Sequence, residues 1–200
     1  MQTFKIAVLI SGNGSNLQAI INDLKNHKGM EICSVISNNQ EAYGLTRATE
    51  AGIDTHIINH ENYPSREAFE EDLIDVLKKQ SPDLIVLAGF MRILSDLFVS
   101  EYYGKIINIH PSLLPKYKGM NTHERVLENG EEFHGVTVHY VDNSLDGGPI
   151  CAQSRLKINT KDKKELENQI HELEYKLYPE VIREIATGKI QLSGGEVYRE

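Results

Sequence analysis

With 200 residues, 40% of them hydrophobic and 25% charged, the chain can bury a sizeable core and fits a single globular domain over residues 1–200. Its net charge is −8 and no stretch clusters Lys and Arg densely, which argues against a nucleic-acid partner. No apolar run approaches membrane-spanning length and the opening Met1-Gln2-Thr3-Phe4-Lys5-Ile6 does not read as a signal peptide, so no membrane partner is expected.

Phe4 to Ile10 is an apolar run of strand type. It breaks at Ser11-Gly12-Asn13-Gly14-Ser15-Asn16, and an amphipathic helix follows with Leu17, Ile20, Ile21 and Leu24 on one stripe. Strand, glycine-rich turn and helix form an anion cradle. Glycines let backbone N–H groups come close, and the helix N-terminus adds partial positive charge. A dinucleotide is disfavoured on two counts. Leu17 stands where the third glycine of G-x-G-x-x-G belongs, and the second strand, Ile32 to Ile36, runs into Ser37-Asn38-Asn39 with no acid for a ribose hydroxyl. A phosphate monoester suits this loop better, with a plain tight turn as the alternative.

Gly44 to Ala51 predicts a short helix ended by Gly52, and Thr55 to Ile58 a third strand. Ser65 to Gln80 reads as a helix burying Phe69, Leu73, Val76 and Leu77. Arg66, near its start, either meets an anionic substrate tail or is simply solvated. Leu84 to Ala88 is wholly apolar, as parallel strands covered on both faces tend to be. It leads into Gly89-Phe90-Met91-Arg92-Ile93-Leu94, whose apolar side chains either wall a flat organic ligand or pack the core. Asp96 to Tyr102 is a short helix with Ser95 as its N-cap.

Ile106 to His110 is a strand stopped by Pro111. Residues two apart share a strand face, so Asn108 and His110 point the same way at its carboxyl end. Thirty-six residues after His110 stands Asp146, in the turn-rich stretch Leu145-Asp146-Gly147-Gly148-Pro149. An amide donor, an imidazole and a carboxylate suit acyl transfer. The amide steadies a developing oxyanion, the imidazole moves protons, and the carboxylate orients and charges the imidazole. The alternative is a pair of satisfied polar residues at a strand end and an ordinary turn acid.

Pro111 and Pro115 force an extended loop through Lys116-Tyr117-Lys118-Gly119, and Thr122 to Asn129 is a helix ended by Gly130. From Phe133 to Val141, Val136, Val138 and Tyr140 point one way and Thr137 and His139 the other, which predicts a half-exposed strand. His134 and His139 are five apart and face opposite sides, and there is neither H-E-x-x-H nor a cysteine pair, so no metal is expected. No G-x-S-x-G elbow is present. Cys33 and Cys151 make no disulfide framework, which points to a reducing, cytoplasmic setting. Cys151 lies near the Asp146 loop, but nothing cationic adjoins it to make it a nucleophile. Pro149 to Ile158 reads as a final core strand. Thr160 to Thr187 is strongly helical, with Pro179 expected to end or kink one segment and open the next, Gly188 to close the helix and Ser193 to Glu200 to fray.

Strands alternate with helices to about residue 130 and then predominate. That predicts an α/β fold: a three-layer, Rossmann-like, mostly parallel twisted sheet with an antiparallel portion in the C-terminal half. In such sheets ligands sit at the carboxyl ends of the strands. Here those ends are the Gly12 loop, the Met91 segment and His110.

Four segments then carry a resemblance: Ile10 to Gln18; Leu87 to Leu94; Asn108 to Pro115; and Gly135 to His139 together with Leu145 to Ile150. In order and spacing the chain resembles the folate-dependent formyltransferase family from residue 4 to about 187, and within it the members that formylate 5-phosphoribosylglycinamide (GAR) in purine synthesis. The resemblance implies 10-formyltetrahydrofolate as co-substrate, GAR as acceptor and no metal. It implies a catalytic trio of Asn108, His110 and Asp146. Gly12, Asn13, Gly14, Ser15 and Asn16 would take the GAR phosphate, and Glu174 the sugar and amine. Met91, Arg92, Ile93, Leu94, Asn143 and Asp146 would hold the pterin, and Arg66 the folate tail. Lys118 stands where many members have Pro, and His171 where a neutral amide is expected. Oligomeric state is left open, a homodimer being admitted. Rival readings are a formyltetrahydrofolate hydrolase, expected to carry a preceding regulatory domain, and a methionyl-tRNA formyltransferase, expected to carry a following RNA-binding domain and a basic face. A non-catalytic folate- or nucleotide-binding module would bind without turnover.

Overall fold

The computed structural model describes residues 3–200; Met1 and Gln2, which open the stretch read above as no signal peptide, lie outside the described residues. In chain order the elements are β1 (Phe4–Ile10), α1 (Ser15–Leu24), β2 (Met30–Ser37), α2 (Tyr43–Glu50), β3 (Thr55–Ile57), α3 (Arg66–Gln80), β4 (Leu84–Leu87), α4 (Asp96–Glu101), β5 (Ile106–His110), α5 (Thr122–Glu128), β6 (Phe133–Tyr140), β7 (Ile150–Lys157), α6 (Lys163–Ala186), β8 (Ile190–Ser193) and β9 (Glu196–Arg199). Seven strands are hydrogen-bonded in the order β3-β2-β1-β4-β5-β6-β7, and β8 pairs with β9 alone. The sheet is mostly parallel and flanked by helices, with an antiparallel pair, β6 and β7, in the C-terminal half. The chain divides within β5 into two compact units, Met1–Ile107 and Asn108–Glu200.

In the first unit, Ile6 to Ile10 and Leu84 to Val86 are almost wholly buried, and α1, which packs against β2 and α2, buries Leu17, Ile20, Ile21 and Leu24. Ser95 caps α4 as expected, and Ser65, read as the first residue of its helix, caps α3 in the same way. Ser65 accepts from Ala68 N at the head of α3, and Ser95 accepts from Phe98 N at the head of α4. One departure lies on α3, where Glu70 is buried and Val76 only half-buried. The Glu70 carboxylate accepts from both the backbone N–H (2.7 Å) and the hydroxyl of Ser95, and so anchors the α4 cap. An acid survives inside because its lone pairs are met.

The second unit departs further. β6 is buried from His134 to Tyr140, not half-exposed. Its polar residues His134, Thr137 and His139 are interior groups, paired with the half-buried His123 ring, Ser112 O and Tyr140 O respectively. β7 is an edge strand and not a core one; only Cys151 and Ala152 are buried. Pro179 neither ends nor opens a segment, for α6 runs unbroken from Lys163 to Ala186. The helix packs on β6 and β7 and buries Leu177, Tyr178, Val181 and Ile182 around the proline, so burial outweighs the one lost backbone bond. Ser193 to Glu200 does not fray. Gly194 and Gly195 take φ of +58° and +83° and close the β8–β9 hairpin, the conformation that a two-residue turn needs.

Candidate active site

In the first unit, β1 has β2 on one side and β4 on the other, so the chain's crossovers part at its carboxyl end. Ser11 ties that end together: its Oγ donates to Asn38 Oδ1 (2.6 Å) and accepts from Met91 N (2.8 Å). The Gly12 loop and the Met91 segment therefore meet at one end of the sheet. Gly14 enters α1 with φ +73° and, lacking a side chain, places no cap of its own over the N–H groups of the first turn. A Cβ on Gly14 would lie 2.6 Å from Gly44 Cα, so only glycine admits this approach. Met91 and Ile93 are each 71% exposed and are therefore not core packing. Arg92 and Leu94 are half-buried beside them. Arg66 is exposed, with Nε 3.7 Å from Glu67 Oε1.

In the second unit, Asn108, His110 and Asp146 come together. His110 Nδ1 lies 3.4 Å from Asp146 Oδ2, and both side chains are largely buried. Its other nitrogen, Nε2, lies 2.9 Å from Tyr117 O. Both ring nitrogens thus face oxygen acceptors. Asp146 Oδ2 also accepts from Gly119 N at 2.8 Å. Asp146 holds φ +45°, and Gly148 packs so tightly on the end of β6 that a Cβ there would stand 1.9 Å from Tyr140 O. The loop thus has little freedom to withdraw its carboxylate.

A fourth side chain, His139, completes the arrangement and was read from the sequence only as the outer face of a strand. Its Nδ1 donates to Tyr140 O (2.9 Å), which leaves Nε2 as acceptor for Asn108 Nδ2 at 3.3 Å. Asp146 Oδ1, 3.9 Å from Nε2, and the Tyr140 carbonyl favour protonation, but burial outweighs them and pushes the imidazole below its ordinary range. A neutral His139 fixes one hydrogen of the Asn108 amide and leaves the second to meet a developing oxyanion. The signal was present: Thr137 and His139 are polar at alternate positions in a run otherwise too apolar for an exposed strand.

Thr137 does the same service for the loop after β5. Its hydroxyl donates to Ser112 O (2.6 Å) and accepts from Leu114 N (3.1 Å) and Gln153 Nε2 (2.9 Å). Farther along, Tyr117 OH donates to Glu131 Oε1 (2.9 Å), and Arg125 Nη1 donates to Lys118 O (2.7 Å) and Met120 O (3.3 Å). Glu174 is buried on α6, and Asn143 is exposed beside the Asp146 turn. Burial pushes the Cys151 thiol up to about 12, so it carries no thiolate near neutral pH. Among the described residues no group of three or more His, Cys, Asp or Glu is placed to hold a metal ion, and no helix is long and apolar enough to cross a membrane.

Comparison with known proteins bears on this arrangement. Residues 4–182 match the model of the formyl transferase family. The chain is 48% identical over 189 residues to phosphoribosylglycinamide formyltransferase of Escherichia coli, covering 94% of this chain and 89% of that one. It is 44% identical over 198 residues to the protein of the same name from Haemophilus influenzae, covering 97% and 92%. Its fold superposes on the solved phosphoribosylglycinamide formyltransferase of Coxiella burnetii with a TM-score of 0.95 at 52% identity, over 99% of this chain and 94% of that one. The chain belongs to the formyl transferase family.

Proposed function

We propose that this chain acts as one formyltransferase domain that moves the formyl group of 10-formyltetrahydrofolate to the amine of GAR, the step of purine synthesis named for its relatives. The observation that carries the reading is the His110–Asp146 pair with Asn108 held beside it by His139. The glycinamide nitrogen attacks the formyl carbon, and the carbonyl π electrons move onto oxygen. The free hydrogen of the Asn108 amide and protonated His110 stabilise that oxygen. Nε2 is the nitrogen that turns to the substrate, an arriving oxygen taking the place of Tyr117 O. The attacking nitrogen then loses a proton, the C–N10 bond breaks, and His110 relays a proton to N10, so that tetrahydrofolate leaves. Asp146, 3.4 Å from Nδ1, keeps the imidazole oriented. The loop Gly12 to Asn16 takes the GAR phosphate and Glu174 its sugar and amine. The exposed Met91 and Ile93, with Arg92, Leu94 and Asn143, receive the pterin, and Arg66 the folate tail. Fixing the amine against the formyl carbon supplies much of the rate. Both cysteines are free thiols, in keeping with a cytoplasmic setting.

The test is coincubation of the protein with GAR and formylated folate, following tetrahydrofolate release by absorbance. Asn108→Ala, His110→Ala and Asp146→Ala are each expected to lower kcat by at least about a hundredfold, the usual loss of an oxyanion donor or its support. A variant with near-native kcat removes its residue from the trio. Binding without turnover by the native chain would leave a folate-binding module instead.

A further inference from the structure

Arg47 is a cation of the first unit for which the reaction above has no role. It sits on α2, three residues beyond Gly44. A Cβ on Gly44 would stand 3.2 Å from Gly14 Cα and 2.5 Å from Ile10 Cδ1, and Gly44 N donates to Gly12 O at 3.1 Å. The head of α2 is therefore locked against the loop. Residues three apart share a helix face, so the same contact carries Arg47 to the loop. Its guanidinium places three donors there. Nε donates to Asn13 O (2.9 Å), Nη2 to Asn13 Oδ1 (3.1 Å) and Nη1 to Gln18 Oε1 (3.1 Å). The Tyr43 ring lies against it, 4.8 Å from the guanidinium carbon to the ring centroid.

Two consequences follow from these contacts. The acceptors are amide oxygens and none is a carboxylate, so none of these contacts cancels the positive charge of Arg47. Amide oxygens are also what an incoming anion must not meet. By holding both oxygens of Asn13 in a planar fork, Arg47 leaves that residue only its amide donors to turn toward an anion.

We propose that Arg47 is a positioning residue for the substrate phosphate. Acting through Asn13, it presents the Gly12–Asn16 loop as donors alone and gives it a positive charge within a chain of net charge −8. This rests on the reading of that loop as the phosphate cradle. Arg47 does not act on the reacting atoms, so its effect falls on KM for a phosphorylated substrate and not on kcat.

Steady-state kinetics of the full chain on GAR and on the unphosphorylated glycinamide riboside test this. Arg47→Met is expected to raise KM for GAR about tenfold or more, the scale of one charge-assisted hydrogen bond, with kcat within about threefold of native. On the riboside its kcat/KM should match the native value. Arg47→Lys, which returns the charge without the fork, should fall between the two. A second readout needs no turnover: Arg47→Met should require about tenfold more inorganic phosphate for the same rise in Tm. Equal losses on both substrates, or an unchanged KM for GAR with an unchanged phosphate response, would overturn the proposal. Native enzyme that uses the riboside as well as GAR would overturn the cradle itself, and that is seen before any variant is made.

Discussion

His139 accepts from Asn108 with one nitrogen and donates to Tyr140 O with the other, and this decides how an amide 31 residues earlier in the chain is aimed. Without it the Asn108 carboxamide can rotate, and its oxygen can face the place where negative charge develops. His139→Ala is accordingly expected to lower kcat roughly ten- to a hundredfold through lost preorganisation, less than loss of Asn108 itself. His139→Gln, which can restore an acceptor, should recover part of the loss. If kcat of His139→Ala stays native while Asn108→Ala is crippled, the amide is aimed by something else. At this scale the residues at alternate positions, Asn108 and His110, were legible because strand geometry alone puts them on one face. The Tyr117 carbonyl at His110 was not, because no side-chain pattern reports a backbone oxygen seven residues on.

At the scale of elements, one threonine holds the loop between β5 and α5 in place. Thr137→Val keeps the shape of the side chain but strands Leu114 N and Ser112 O, which now share its hydroxyl, whereas the exposed Gln153 keeps its bond from Nε2 to Leu114 O (2.9 Å). Leaving buried polar groups unmet costs about 1–3 kcal/mol each where water cannot reach them. A loss of about 2 kcal/mol or more in urea unfolding is expected, together with a lower kcat, since the same loop carries Tyr117 and Gly119 to His110 and Asp146. A variant as stable and as active as the native chain would show that the loop holds itself. Element boundaries were mostly readable from periodicity and caps. The failures share a cause. β6, β7 and α6 owe their burial to one another, and neither alternation along β6 nor a proline in α6 reports what lies against them.

At the scale of the whole molecule, stability should fall on acidification. His134 is buried, its Nε2 3.0 Å from His123 Nδ1, and a neutral pair shares a single proton there. Burial first, then the neighbouring histidines, lower its pKa from 6.5 to about 4. His123 and His139 are lowered too, again chiefly by burial. A folded pKa below the unfolded one means that the unfolded chain binds more protons between the two values. The stabilising contribution is thus complete above about pH 6.5 and is lost as pH falls toward about 4, on the order of 3 kcal/mol for His134. Urea midpoints across that range should drop with pH, and His134→Gln should flatten the slope by about one proton. A slope unchanged by the substitution would assign it to other groups.

The sequence by itself determined the alternation of strands and helices, the glycine-rich turn after β1, and the facing pair Asn108 and His110. Each of these is set by local period, by caps, or by residues whose allowed dihedral angles are few. Tertiary structure alone decided that Asp146 reaches His110, that His139 is an interior residue aiming an amide, that Arg47 grips the turn from a neighbouring helix, and that the terminal residues pair as a hairpin beside α6. Those outcomes depend on which apolar faces bury one another, and a chain read one residue at a time does not carry that information.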